Sequence, residues 1–286
     1  MTHFLILGKN GHFAKNFMRR IIRDRLGTYE YISYVEFQNQ KGLENLTFKD
    51  EIVYIYCFGG KNQVRQRYDE SELLTVFLDS LDSKKRNRSS LIFLSSGEIY
   101  GRSYEPFSEN SPIDPKTEYA ITKVRSEHLL IERGPELLKE IHINRVANAY
   151  SCEELGTQNN LIANLIRSIV SHEPFTLTSS KFSRKQYGTF SDYANLMLNV
   201  LLTKKDDTNI EPVSIRNVAP SFSYSINEIL TILENCFSTQ FGIFQTRSDA
   251  NESSELDSRI LTSNRPINYR WASLEEELLK IVPIRM

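Results

Sequence analysis

The sequence lacks the features that mark disulfide-rich, metal-binding and membrane proteins. Its three cysteines, Cys57, Cys152 and Cys236, lie far apart and form no C-x-x-C pair, which argues against a disulfide framework or a zinc site and favours a reducing compartment. Its five histidines show no metal-binding spacing, so we predict no metal site. No apolar run approaches the roughly 20 residues of a membrane span, and the first one is too short for a signal peptide. We therefore expect a cytoplasmic protein that does not associate with membranes.

An excess of charge of one sign is also missing. The chain has 35 Lys and Arg against 36 Asp and Glu, a formal net charge of −1, so electrostatics gives no reason to expect nucleic acid as a partner. Its 286 residues, 40% of them hydrophobic and 25% charged, suffice for one large domain with a substantial core, or for one domain carrying a smaller lobe.

Short apolar stretches alternate with helix-period segments in the first half of the chain. Several of these stretches end in Gly or a small polar residue, as expected of parallel strands buried on both faces. The predicted strands are 4–8, 31–37, 52–60, 91–97 and 141–148, and the predicted helices are 12–25, 70–83 and 116–133. This alternation predicts a doubly wound, Rossmann-type parallel α/β sheet with its ligand outside the carboxyl ends of the strands.

After about residue 150 the pattern becomes more fragmentary. Helical patterns are present at 159–171, 191–203, from Ser225 onward and near 273–281, with short strand-like pieces between them. We therefore predict a Rossmann domain over 1–158, to which 186–220 contribute late elements. A smaller, mostly helical C-terminal lobe is predicted over 159–185 and 221–286.

The stretch "LILGKNGHFA" places a glycine turn directly after the first predicted strand. Gly8 permits a tight turn, Gly11 lets the backbone approach a pyrophosphate at a helix N-terminus, and Ala14 is small enough for the helix to pack closely on the sheet. An acidic residue near the end of the second strand would bind the adenosine ribose of such a cofactor, and Glu36 is the candidate. Glu36 favours NAD over NADP, but a solvated strand-end glutamate is an equally good interpretation, so both cofactors stay open.

The stretch "EYAITKVRSEHLL" places Tyr119 and Lys123 four residues apart on one face of a predicted helix. Asp114 and Pro115 fit the N-cap and first position of that helix. A tyrosine with the ordinary pKa of about 10 is a poor acid or base at neutral pH, and a nearby ammonium lowers such a pKa by stabilising the phenolate. The pair is therefore a candidate for acid–base chemistry, with an exposed helix face as the alternative.

Together with "FLSSGEIYG" and "INRVANAY", these motifs resemble the extended short-chain dehydrogenase/reductase family, which includes nucleotide-sugar epimerases, dehydratases, decarboxylases and ketoreductases. The resemblance covers nearly the whole chain. It implies that Tyr119 and Lys123 are the catalytic pair and also contact an NAD(P) cofactor, and that the Ser96 hydroxyl hydrogen-bonds the reacting sugar oxygen. It also implies a nucleotide-diphosphate sugar as substrate, held by the C-terminal lobe, and a homodimer formed through the helix that carries Tyr119.

The resemblance further implies residues that bind the substrate. "RVANAY" places Asn148 near the phosphates of the nucleotide sugar. The family's diphosphate-binding arginine, counted back from Asp192, falls on Lys185, with Arg184 beside it. A second family pattern is met by "RSDANESSELDSR" and makes Arg247 another diphosphate candidate; solvated loop charges are the alternative for all three basic residues.

Glu98 bears on the choice of reaction. Dehydratases and decarboxylases of the family carry a glutamate at this position as a general acid or base, but this chain has Gly97 where dehydratases usually carry an aspartate. The overall pattern looks most like ketoreductases of deoxysugar biosynthesis, which reduce a 4-keto sugar nucleotide with Tyr119 as the proton donor. The alternatives are a 4-epimerase, a dehydratase or decarboxylase that uses Glu98, and a non-catalytic sensor of NAD(P) with the same fold.

Overall fold

The computed structural model describes residues 1–38, 51–58, 69–152, 158, 160–177, 180–203, 211–238, 243–245, 255–256 and 269–281. In chain order the strands are β1 (His3–Leu7), β2 (Thr28–Ile32), β3 (Ile52–Tyr56), β4 (Ser89–Ser96), β5 (Glu140–Val146), β6 (Asn148–Tyr150), β7 (Phe175–Leu177), β8 (Arg184–Lys185), β9 (Tyr187–Thr189), β10 (Val213–Val218), β11 (Tyr224–Ser225) and β12 (Ile243–Gln245). The helices are α1 (His12–Arg23), α2 (Tyr34–Gln38), α3 (Glu70–Asp79), α4 (Glu118–Leu137), α5 (Leu161–Ser171), α6 (Phe190–Leu202), α7 (Ile226–Phe237) and α8 (Leu274–Leu279), with 3₁₀ turns at Ser83–Arg88 and Gly97–Tyr100.

Two compact units divide the chain. The first comprises Met1–Gly101, Pro112–Arg145 and Ala194–Arg216, and the second comprises Arg102–Ser111, Val146–Tyr193 and Asn217–Met286. The predicted domain bounds stay predictions. The cofactor and substrate roles predicted for the two parts stay predictions.

The largest sheet among the described residues has six strands in the order β10-β5-β4-β3-β1-β2. The pairs β1–β2, β1–β3 and β3–β4 are parallel. Every residue of β1 and β3 is buried, whereas the first four residues of the edge strand β2 are exposed or half-buried. These burial patterns explain why β1 and β3 are continuous apolar runs, and the predicted Rossmann-type doubly wound sheet is confirmed.

The strand order reverses around β1, because β2 lies on one side of it and β3 on the other. The backbone N–H of Gly8 donates to the carbonyl of Ile32 at 2.9 Å, and the N–H of Cys57 donates to that of Leu7 at 2.8 Å. The carboxyl ends of β1, β2 and β3 are thereby held together by hydrogen bonds. Such a switch point is where doubly wound sheets bind their ligands.

The predicted elements are present in the structure, but several end at other residues. The helix predicted at 70–83 ends at Asp79, and the helix predicted at 116–133 continues to Leu137. The strand predicted at 31–37 is instead β2, which ends at Ile32 and is followed by α2. Ser33 and Glu36 explain this difference, because the Ser33 N–H donates to the Glu36 carboxylate at 2.7 Å and the Glu36 N–H donates to the Ser33 hydroxyl at 3.3 Å. This reciprocal pair starts a helix. The predicted N-cap at Asp114 is also wrong, since α4 is capped by Thr117, whose hydroxyl accepts from the Ala120 N–H at 3.1 Å.

The second unit contains three two-stranded sheets, which are β6–β9, β7–β12 and β8–β11. Its apolar core includes the buried faces of α5, α7 and α8. In α5 the buried residues include Ile162, Leu165, Ile166 and Ile169, the spacing of an amphipathic helix. The side chains of Ser225 and Ser273 cap α7 and α8, so both helices begin where the sequence pattern predicts.

Two further observations concern the described residues. None of their helices is long and apolar enough to cross a membrane, and no group of three or more His, Cys, Asp or Glu side chains in them could hold a metal ion. The three cysteines are free thiols.

Candidate active site

The turn after β1 requires glycine. Gly8 has a φ of +108°, and a Cβ added to it would lie 3.0 Å from the backbone carbon and oxygen of Cys57. Any side chain would therefore strain the backbone and collide with the end of β3. The Gly11 N–H donates to the Gly8 carbonyl at 3.0 Å, which closes the turn directly before α1.

The start of α1 fits the pyrophosphate of a dinucleotide. Gly11 is the N-cap, no side chain caps the helix there, and its first turn contains no acidic residue. The backbone N–H groups and the positive end of the dipole at such a helix start favour an anion. Ala14 is fully buried, as the predicted close packing of α1 requires. Gly8, Gly11 and Ala14 are thus brought together in an arrangement that suits a nicotinamide dinucleotide.

Glu36 lies in the first turn of α2, four residues beyond the end of β2, and its side chain is exposed. Hydrogen bonds from Ser33, mainly from its side chain and also from its backbone, hold the pKa of Glu36 below the usual value. The carboxylate is therefore ionised at neutral pH and has lone pairs left after it has accepted the Ser33 N–H. Its predicted contact with the adenosine ribose stays a prediction.

Ser96 is the last residue of β4 and is almost completely buried. Its hydroxyl accepts from the Glu98 N–H at 3.2 Å and caps the 3₁₀ turn Gly97–Tyr100. The turn is fixed further by Asp114, whose N–H donates to the Ile99 carbonyl at 2.9 Å. Ser96 and the half-buried Glu98 are thus neighbours at the carboxyl end of the sheet, as predicted.

Tyr119 and Lys123 lie one turn apart on α4, as predicted. The Lys123 Nζ is 5.7 Å from the centre of the Tyr119 ring and donates to the Leu94 carbonyl of β4 at 2.6 Å. Tyr119 is half-buried and Lys123 is buried. The ammonium is therefore fixed next to the tyrosine ring. It is bonded to Leu94, which precedes Ser96 by two residues in β4.

Glu70, which sequence reasoning missed, is the ionic partner of Lys123. The Lys123 Nζ donates to Glu70 Oε1 at 2.8 Å, and the two side chains are only 3% and 1% exposed. Burial raises the pKa of Glu70 to about 7 although the lysine charge opposes this. Burial is the largest influence on the pKa of Lys123 and would lower it, but the Glu70 carboxylate, together with Tyr119 and Cys57, raises the pKa above its usual value. No signal in the sequence indicated this pair, because a glutamate at the start of a helix ordinarily indicates only a favourable interaction with the helix dipole.

A second buried ion pair supports the end of β4. Arg145 of β5 donates through Nη2 to Glu127 Oε2 of α4 at 2.7 Å, and through Nη1 to the Tyr100 hydroxyl at 2.6 Å. The Ser95 hydroxyl donates to the other oxygen of the same carboxylate. These four buried side chains join β4, β5 and α4. Because Ser95 precedes Ser96 in the sequence and Tyr100 follows it, the backbone is fixed before and after Ser96.

The predicted substrate-binding residues belong to the second unit. The Asn148 side chain donates to the Gln186 carbonyl at 3.1 Å. The Arg184 guanidinium donates to the Ser223 carbonyl at 2.6 Å and to Glu228 at 3.1 Å, so it is already neutralised by a carboxylate. Lys185 points to the opposite face of β8, since side chains alternate along a strand. Arg247 lies outside the described residues.

Comparisons with known proteins agree with these features. A model of the NAD dependent epimerase/dehydratase family matches residues 7–215. The dTDP-4-dehydro-6-deoxyglucose reductase of Escherichia coli is 26% identical over 145 residues, which are 48% of this chain and 46% of that protein. The chain thus aligns with less than half of this relative's length.

Solved structures show the same fold. The UDP-glucose 4-epimerase of Thermus thermophilus in complex with NAD is 18% identical, with a TM-score of 0.77 over 98% of both chains. The dTDP-glucose 4,6-dehydratase of Bacillus anthracis in complex with NAD is 14% identical, with a TM-score of 0.75 over 99% of this chain and 96% of that one. At these identities the similarity shows the fold alone. Because the family match spans more than half of the chain, the protein belongs to the NAD-dependent epimerase/dehydratase family, which confirms the predicted enzyme class and its nicotinamide cofactor.

Proposed function

We propose that this protein uses NADH or NADPH to reduce a 4-keto, 6-deoxy sugar that is linked to a nucleoside diphosphate. The observation that carries the proposal is the Lys123 ammonium, fixed 5.7 Å from the Tyr119 ring and bonded to the end of β4. The similarity to a dTDP-4-dehydro-6-deoxyglucose reductase supports this substrate class.

The proposed roles follow from the chemistry of the side chains. Tyr119 donates its phenolic proton to the ketone oxygen, and the Lys123 ammonium stabilises the phenolate that remains. Ser96 polarises the carbonyl by donating its hydroxyl proton in a hydrogen bond. A reduced nicotinamide cofactor, held by the turn of Gly8 and Gly11 and by Lys123, would supply the hydride. Ketone, hydride and proton together give the alcohol.

The charged part of the substrate requires cations. We assign the nucleotide diphosphate to Lys185, the position counted back from Asp192 in the family pattern; Arg184 beside it is bonded to Ser223 and Glu228. A lysine provides a point charge for phosphate without the two-pronged geometry of arginine. Asn148 remains the proposed amide donor, because its amide has a second N–H beside the one given to Gln186.

One observation favours a second candidate. Glu98 is half-buried next to Ser96, where a carboxylate could remove a proton from the sugar as a general base. A dehydratase or decarboxylase would use this group, whereas simple hydride transfer does not need it. Glu98→Gln therefore distinguishes the two candidates, because it should leave a reductase active and inactivate a dehydratase.

The test is a panel of nucleotide sugars, including 4-keto-6-deoxy forms, incubated with NADH and with NADPH. Absorbance of the reduced nicotinamide is followed and products are identified by mass spectrometry. Loss of reduced cofactor matched by the gain of two hydrogens in one sugar would support the proposal. Product without net cofactor consumption would instead indicate an epimerase or dehydratase, and no reaction with any sugar would favour a sensor.

Tyr119→Phe is the variant that tests the proposed acid. It should bind the cofactor as the wild type does, because only one hydroxyl is lost, and its turnover should fall by a factor of about 10²–10⁴. Tyr104→Phe, a change at an exposed tyrosine, is the matched control and should be fully active. Full activity of Tyr119→Phe would refute the mechanism.

The predicted homodimer and cytoplasmic location stay predictions.

A further inference from the structure

Glu70 and Lys123 form a buried ion pair between residues that lie 53 positions apart in the chain. Glu70 is the first residue of α3, and Lys123 lies in the second turn of α4. Their side chains are 1% and 3% exposed, so neither charge is shielded by water. Removing one partner of a buried ion pair of this kind strongly destabilises the folded protein.

The contacts of the Lys123 ammonium are defined on several sides. Two of its three N–H groups donate to Glu70 Oε1 and to the Leu94 carbonyl. The Phe93 ring centre lies 5.0 Å from Nζ and the Tyr119 ring centre 5.7 Å. Within the described residues, Glu70 is the carboxylate that forms an ion pair with this ammonium.

Other ionisable groups around the pair cannot take over this role. Asp69 is the N-cap of α3, where its carboxylate accepts from both the N–H and the hydroxyl of Ser71 and lies 3.6 Å from Arg125. Burial raises the pKa values of Tyr56 and Cys57, which are therefore neutral at physiological pH. Tyr119, which also interacts with Lys123, is the proposed proton donor. The charge of Lys123 is therefore balanced by Glu70.

A lysine buried without a counter-ion loses its proton near neutral pH, because an ammonium in a medium of low dielectric constant is unstable. A neutral amine next to Tyr119 could no longer stabilise a phenolate. We propose that Glu70 is a positioning residue of the candidate active site, the counter-ion that keeps the Lys123 ammonium charged and fixed beside Tyr119. Its importance for turnover rests on the proposed function, but its effect on Lys123 does not.

The first experiment therefore needs neither cofactor nor sugar. The protein is labelled with ¹³Cε-lysine, the Lys123 resonance is assigned from Lys123→Arg, and its chemical shift is followed against pH. Glu70→Gln should lower the titration midpoint of Lys123 by about two pH units or more. The matched control is Glu72→Gln, which removes the same charge from an exposed site on α3 and should leave the midpoint unchanged. Equal midpoints in Glu70→Gln and wild type would overturn the proposal.

The wild-type protein gives a second test, which does not depend on whether the Glu70→Gln variant folds. Its Lys123 should still be protonated at about pH 9, and loss of the proton below about pH 8 would also overturn the proposal. For turnover, Glu70→Gln should lose activity as pH rises through its new Lys123 midpoint, while the wild type stays active. If neither protein reduces any sugar nucleotide, the proposed function fails and the NMR titration still decides the role of Glu70.

Discussion

Replacing Glu127 with leucine is the most informative test of the structure behind the candidate site. In the wild type the Glu127 carboxylate accepts from Arg145 Nη2 at 2.7 Å, from Arg145 Nε at 3.2 Å and from the Ser95 hydroxyl. Glu127 is 1% exposed and Arg145 is 3% exposed. Leucine has a similar volume, so the change removes the charge and its hydrogen bonds without creating a large cavity.

The expected cost follows from what is left behind. Arg145 keeps its hydrogen bond to the Tyr100 hydroxyl at 2.6 Å but loses its counter-ion in a site that water does not reach. Breaking a buried pair in this way costs about 3–5 kcal/mol, and the Ser95 hydroxyl, left without an acceptor, adds about 1 kcal/mol or more. We expect Glu127→Leu to lower the free energy of unfolding by about 4–6 kcal/mol.

Urea denaturation followed by far-UV circular dichroism measures this loss, provided that the slope with denaturant is unchanged. The double variant Glu127→Leu, Arg145→Met removes both charges and should be less destabilised than the sum of the two single variants by about 2–4 kcal/mol. Glu132→Leu, at an exposed position of the same helix, is the control and should change stability by less than about 0.5 kcal/mol. A cost below about 1 kcal/mol for Glu127→Leu, or simple additivity in the double variant, would refute the reasoning.

Three further predictions follow from other parts of the structure. Gly8→Ala should destabilise the protein by about 2 kcal/mol or more and weaken NADH binding, both measurable by thermal unfolding with and without the cofactor, since the φ of +108° disfavours any side chain. The pKa of Glu70 is raised from 4.5 to about 7. The protonated carboxyl group of Glu70 therefore stabilises the folded state below the unfolded pKa, and this stabilisation is lost as pH rises through about 7. Between pH 5 and 7 the wild type should therefore lose about 1–3 kcal/mol relative to Glu70→Gln in urea titrations, and parallel curves would contradict this. Lys185→Ala should weaken the binding of a nucleotide-diphosphate sugar about tenfold or more in calorimetry, whereas Arg184→Ala should mainly lower the melting temperature; the reverse pattern would exchange their proposed roles.

Local pattern was sufficient to predict most of the fold. Continuous apolar runs predicted β1 and β3 because both strands are buried on two faces. The strand expected at 31–37 was misplaced because Tyr, Ile, Val and Phe suit a strand as well as a buried helix face. The capping pair of Ser33 and Glu36, which was present in the sequence, would have identified α2.

The motif residues of the site were also predictable, because each depends on short spacing. Gly8 and Gly11 are fixed by the turn they must form, and Tyr119 and Lys123 share a helix face because they are four residues apart. Spacing did not reveal the partners of the Arg184 guanidinium. Arg184 and Lys185 are adjacent in sequence, and only the structure shows that the Arg184 guanidinium is bonded to Glu228.

The sequence by itself determined the buried strands, the glycine turn and the tyrosine–lysine pair, since each of these depends on the order and spacing of residues that are close together in the chain. Tertiary structure decided the electrostatic environment of that pair. Glu70 and Lys123 are 53 residues apart and Ser95 and Glu127 are 32 apart, and these charges and hydroxyls meet only when α3 and α4 pack beside the sheet. Burial then determines their effect, because removal from water makes each of these charges depend on its partner.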